Sequence, residues 1–175
     1  MTRYHPALVA LHWLLAILII LALTMGKIVL AHTPNADPAK IGDLQGHMII
    51  GISILALMAI RLVIRLMSKR PPEADIGSEM LNKGATIAHY TLYLLVFAMA
   101  VTGLATANTA GLPDIIFFGS GNPLPVNFDD IFTRNVHKAL SVVLILVIAS
   151  HILAAFYHQV VRKDSLFSRM WFGKR

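Results

Sequence analysis

Four stretches of this chain are long and apolar enough to cross a bilayer, and no other feature limits its fold as far. A hydrocarbon core takes about 20 helical residues, and Ala7–Ala31, Met48–Met67, Ala85–Ala110 and Val136–Val161 each supply them. In lipid every backbone N–H and C=O must find its partner within the segment, which a helix provides. The expected fold is therefore all-α, a transmembrane four-helix bundle forming one domain over residues 1–175. Composition agrees: 57% of residues are apolar and 14% charged, with a mean hydropathy of +0.69, values outside the range of soluble domains. The formal charge of +6 does not indicate nucleic acid, because the basic residues sit at the ends of apolar runs and form no stripe or patch. The chain has no cysteine, which excludes disulfides, iron–sulfur ligation, thiolate zinc sites and covalent C-x-x-C-H haem attachment.

The connections differ in character. His32–Gly46 is polar with Pro34 and Pro38, and Ser68–Gly84 contains the charged, Pro-paired turn SKRPPEADIGSE. Leu112–Asn135 is the longest, and its Leu112–Phe118 portion is expected to lie flat at the membrane interface. Orientation follows from lysine and arginine. With the N-terminus in the cytoplasm, the inner side holds Arg3, Arg61, Arg65, Lys69, Arg70, Lys83, Arg162, Lys163, Arg169, Lys174 and Arg175. The outer side holds only Lys27, Lys40, Arg134 and Lys138. Eleven against four puts both termini in the cytoplasm. The first run exceeds the 7–15 residue core of a signal peptide, so it is expected to be retained despite the cleavable-looking Val29-Leu30-Ala31.

That topology gives each histidine a depth. His137 and His151 are fourteen positions apart on one expected helix, so they point the same way within about 40° and lie ~21 Å apart along the axis. His47 begins the second span at the same outer level as His137, and His12 lies inside the first span at the level of His151. Depth thus pairs His47 with His137 and His12 with His151. His5 and His32 fall outside the core and read as solvated side chains, whereas His89 and His158 near the inner end are candidates for a quinone or a proton path. An ionisable group deep in a span is costly and usually faces the bundle interior with a function.

Two imidazoles from facing helices suit haem iron, whose four equatorial positions the porphyrin fills. A divalent-ion site would want further ligands, often carboxylates, and none of the nine Asp and Glu lies inside an expected span. Small residues one turn from the histidines (Ala16, Gly51, Ala154, Ala155) would let a flat ring approach the backbone. Arg61 and Arg65 share a helical face with His47 and reach the inner pair's depth, where haem propionates would need cations. The residues therefore point to a di-haem b-type cytochrome.

LHWLLA in the first span, GHMIIGISILALMAIRLVIRL over the second, GATIAHYTLYLLVFAMAVTG over the third and VHKALSVVLILVIASHILAAFYH in the fourth carry a family resemblance over nearly the whole chain. It resembles the bacterial cytochrome b561 family of four-helix inner-membrane proteins. The resemblance implies axial ligation by His12, His47, His137 and His151, two non-covalent haem b groups, and an electron path between the periplasmic face and ubiquinone. It also implies an oxidoreductase resembling the members that oxidise superoxide with ubiquinone as acceptor. Arg134 and Lys138, flanking His137, would then steer the anion, against a net charge of −1 on the outer side from Asp37, Asp43, Asp114, Asp129 and Asp130. His89, His158 or Tyr90 would serve the quinone. Two rival readings accompany this one. A haem-bearing anchor subunit, linking quinone to a separate dehydrogenase or hydrogenase, would use the same ligands and would co-purify with a soluble redox partner. A non-redox metal carrier would give a colourless preparation.

Overall fold

The computed structural model describes residues 3–69, 71, 78–164 and 166–172, and among these there are helices and no strands. The first helix runs Pro6–Thr24, continues through a π-helical turn at Met25–Val29 and ends at Leu30–His32. Pro6 sets its start, since a missing N–H costs nothing in a first turn, and His5 Nδ1 accepts from the Ala7 N–H at 3.3 Å. The second helix spans Ala39–Met67, the third Glu79–Thr109, and the fourth Phe132–Phe156 with a π-helical extension Tyr157–Arg162. All four are long and apolar enough to cross a membrane, so the fold is an all-α transmembrane bundle. The second helix begins nine residues before the apolar run at Met48. Hydropathy marks the depth of the lipid, whereas helical hydrogen bonding continues through the polar residues Lys40, Asp43 and Gln45.

The bundle's exterior is apolar. Leu94 is 70% exposed and Leu153 68%, an arrangement that only a lipid surround makes favourable. Inside, Leu15, Ile54, Met58, Leu95, Val96 and Leu144 form a central core layer, and Leu144 lies seven residues from both His137 and His151. Backbone packing runs between sequential neighbours, first on second, second on third and third on fourth. The first and fourth helices, like the second and fourth, approach each other far less closely.

The two ends are closed differently. Arg3 donates to the Phe172 carbonyl at 2.8 Å and Trp13 Nε1 to the Met170 carbonyl at 2.9 Å. Trp13 also meets the Trp171 ring edge-on at 5.8 Å. Both chain ends therefore share one end of the bundle, called here the terminal end. At the distal end, Leu112–Ile116 is a short helix. Its Leu112 and Ile116 are buried against Leu44 and Ala107, while Phe118 is exposed. The segment expected to lie on the interface thus plugs the bundle with two side chains and turns its aromatic tip outward. Of the basic residues used for orientation, Arg70, Lys174 and Arg175 lie outside the described residues, as does most of the SKRPPEADIGSE turn.

Lys40 is buried at the distal end, and its ammonium donates to the Leu30 carbonyl at 2.5 Å and to the Thr33 carbonyl at 2.7 Å. It thereby satisfies carbonyls that the end of the first helix leaves open. Lys40→Met keeps the stem but leaves these acceptors unpaired, so it should cost about 1–3 kcal/mol. Denaturant titration in detergent checks this, and an unchanged midpoint would remove the capping role.

Candidate functional site

The four deep histidines meet as two pairs, each across helices whose backbones stand apart. The ring centroids of His47 and His137 are 6.3 Å apart, with planes at 82°. Those of His12 and His151 are 6.4 Å apart, at 69°. These separations can be compared with what a metal between two imidazoles requires. Metal–imidazole bonds run about 2.0–2.1 Å; adding roughly 1.1 Å from each nitrogen to its ring centre puts the centroids ~6.3 Å apart. Both pairs meet that spacing.

The distal pair has its surroundings arranged around it. His137 Nδ1–H donates to the Met99 carbonyl at 3.0 Å, with Thr102 Oγ1 3.2 Å from the same nitrogen. A carbonyl acceptor fixes the proton on Nδ1 and leaves the Nε2 lone pair for a metal, the usual tautomer logic of a ligating histidine. Gly103 makes this possible, because a Cβ there would stand 3.2 Å from His137 Cε1. His47 Nδ1 is buried without a well-formed hydrogen bond, the Ala22 carbonyl being its polar neighbour. Between the two imidazoles lies a half-open apolar pocket lined by Ala22, Gly51, Ala100 and Leu144 among others. A Cβ on Gly51 would meet nothing within 4 Å, so the space beside this part of the lining is open. An apolar slot with an orphaned imidazole nitrogen and small residues on its walls fits a planar macrocycle. No cluster of three or more His, Cys, Asp or Glu suited to a bare metal ion occurs among the described residues.

The terminal-end pair has a third imidazole beside it. His89 lies 5.5 Å from His151, ring to ring, at 74°. That is about 0.8 Å too close for a metal to sit between them on the same bond lengths, so the spacing favours His12 as the partner of His151. Sequence reasoning placed His89 near the inner end of its span but not against His151, because the way two packed helices face each other leaves no mark in spacing. Arg61 and Arg65 stand over the Tyr93 ring at 5.2 and 5.6 Å. Both guanidiniums lie close enough to His89 to act on it electrostatically, and Arg61 also on His12.

The remaining candidates separate by end. Arg134 is half-buried and acts on both His47 and His137, whereas Lys138 is exposed. Lys27, which the sequence marked only as an outer charge, also acts on His137 from the π-helical turn. A π turn rotates the residues after it, and apolar periodicity does not register it. At the terminal end, His158 Nδ1–H donates to Asp164 Oδ2 at 2.5 Å, and Arg162 Nε lies 3.3 Å from the same oxygen. Lys163, at φ +53°, ends the helix and turns Asp164 back. Burial works to raise the Asp164 carboxyl, but hydrogen bonds from His158 and the Leu166 N–H, with the charges of His158 and Arg162, outweigh it and hold it below the usual carboxylate range. Tyr90 is exposed. His32 Nδ1–H donates to the Ile28 carbonyl at 2.7 Å, and with His5 capping the first helix both terminal histidines serve the backbone.

Comparison with known proteins gives consistent matches over the full length. The family model described as prokaryotic cytochrome b561 matches residues 3–173. A probable superoxide oxidase CybB of Yersinia pestis is 31% identical, over 99% of this chain and 98% of that protein. Cytochrome b561 homolog 2 of Escherichia coli strain K12 is 27% identical, over 96% and 90% respectively. A cytochrome b562 of Cereibacter sphaeroides is 25% identical, over 95% and 94%.

Proposed function

The chain belongs to the prokaryotic cytochrome b561 family, and on that footing we propose that it carries two haem b groups, one held by His47 and His137 and one by His12 and His151. The protein moves electrons from the periplasmic face to the ubiquinone pool of the bacterial inner membrane, as one domain with its terminal end in the cytoplasm. The coarser statement, a multi-pass membrane haem protein with oxidoreductase kinship, follows from family membership and the four apolar helices. The observation that supports the finer one is the pair of ring separations, 6.3 and 6.4 Å, on helices with a gap between them.

Bound haem would supply one-electron transfer, and with two imidazoles from this chain holding each iron the exchange with substrate would be outer-sphere. The side chains hold, insulate and select. Met99 and Thr102 fix the His137 ring, and the Leu15–Ile54–Met58–Val96–Leu144 layer keeps water from the space between the histidine pairs. Arg61 and Arg65 would provide cations for the propionates of a haem held by His12 and His151.

Superoxide is the donor that the Yersinia pestis relative favours. Each superoxide gives up one electron and leaves as dioxygen, and two such electrons with two protons convert ubiquinone to ubiquinol. Arg134 draws the anion toward His47 and His137, with Lys138 and Lys27 adding to the field. Steering of this kind is worth 10–10³ in on-rate at low salt. Arg134→Glu with Lys138→Glu should therefore slow superoxide-driven haem reduction at least about tenfold at low ionic strength, with the difference shrinking as salt rises. Stopped-flow absorbance reads it, and equal rates at low salt would remove these residues from the path. At the quinone end His158 is the proton donor, since Asp164 occupies Nδ1 and leaves Nε2 for the quinone oxygen. His89 is the second candidate on the proton route, and Tyr90 the third.

A further inference from the structure

Tyr93 carries a hydroxyl that is buried without a hydrogen-bond partner. Arg61 and Arg65 stand over its ring at 5.2 and 5.6 Å, and among the described residues neither guanidinium pairs with a carboxylate. One helical turn before Tyr93, on the same face of the third helix, His89 lies 5.5 Å from His151. These groups thus form a cationic cluster with an orphaned donor beside the terminal-end histidine pair, inside the membrane-spanning part of the bundle. A phenol removed from water without a new acceptor is destabilising, and so are two like charges one turn apart with no counter-ion. One ligand relieves all three: an anion with acceptor oxygens, held by the guanidiniums and accepting from the phenol. Cations over the ring face draw electron density from the phenol and make its O–H a better donor.

We propose that Tyr93 completes an anion site with Arg61 and Arg65, that the ligand is a carboxylate, and that this carboxylate is a propionate of the haem held by His12 and His151. The inference rests on the di-haem reading above and adds a tuning role that nothing in that reading assigns. Tyr93 sets the potential of one haem without touching its iron. A propionate whose charge is shared with a hydrogen-bond donor opposes reduction of the iron less than a bare one. Losing the donor therefore favours the ferric state.

Equilibrium redox titration of the full chain in nanodiscs tests this with four samples. Wild type and Tyr93→Phe are each loaded with haem b or with haem b whose two propionates are methyl esters. With free propionates, Tyr93→Phe should shift one haem toward ferric roughly threefold to tenfold at fixed ambient potential, tenfold being 59 mV for a one-electron couple. The other haem should not move. With the esters, the shift should vanish. No shift with free propionates overturns the proposal, and so does an equal shift with esters, which would indicate a packing role or another anion such as a lipid head group. If Tyr93→Phe does not retain that haem, Arg65→Gln replaces it in the same comparison with the same two outcomes. A wild type holding no haem at His12 and His151 overturns the di-haem reading itself, and its spectrum shows this before any variant is compared.

Discussion

Replacing His12 or His151 with leucine should remove one haem, the same one in both cases, and His47→Leu or His137→Leu should remove the other. The expectation follows from the ring separations, 6.4 Å for the first pair and 6.3 Å for the second, each the length that a metal with ordinary imidazole bonds would span. Each variant should hold about half the wild-type haem, with one of two components missing from the reduced-minus-oxidised spectrum. Transfer across the membrane should be abolished, because the paired histidines assign one haem to each half of the bundle. His89 is the residue that could blur this result, since it already touches His151. Its 5.5 Å separation is too short for an axial pair, so His89→Leu should leave both haems in place. Spectra showing His12 and His137 variants deprived of one common haem would refute the pairing, and His12→Leu with full occupancy would transfer the ligand role to His89.

His158→Leu should slow quinone reduction by about 10²–10⁴, the usual contribution of a positioned proton donor, while both haem spectra stay intact. The argument rests on the contact with Asp164. A carboxylate on Nδ1 fixes the orientation of the ring. Asp164→Asn removes the charge but retains an acceptor, so its effect should run in the same direction and be smaller. Asp164 is held below its ordinary pKa, so its contribution to stability is present above about pH 3.9, the unfolded value, and is lost as pH falls through the folded one. Between pH 5 and 8 the Asp164 carboxylate is therefore ionised, and any pH dependence of turnover there belongs to a group other than Asp164. Haem reduction by superoxide followed alongside quinol formation separates the two steps. Unaltered turnover in His158→Leu would take His158 off the proton route.

The bundle was legible because lipid imposes a length and a polarity that the chain cannot disguise. The fourteen-residue interval from His137 to His151 was legible for a related reason, since one helix is a ruler and both residues lie on Phe132–Phe156. Depth matching extended that ruler to His47 and His12, which the structure brings to within 6.4 Å of their partners. Contacts that depend on how helices face one another were not legible. His89 against His151, and Tyr93 against Arg61 and Arg65, join the second, third and fourth helices in a register that no interval encodes. Lys40 read as an outer charge, yet it is buried as a cap, because its two acceptors belong to the end of a different helix. Lys27 escaped because the π turn at Met25–Val29 redirects it. The Leu112–Ile116 plug escaped because so short a segment, with three aliphatic side chains around Pro113 and Asp114, reads alike on a lipid surface or in a bundle end.

The most direct measurement is the number of haem b groups per polypeptide, from the pyridine haemochrome absorbance and quantitative amino-acid analysis of one fully loaded preparation. Two per chain, resolved as two midpoint potentials, is the predicted result. A value of one, or none, in a saturated sample would contradict the paired-histidine account.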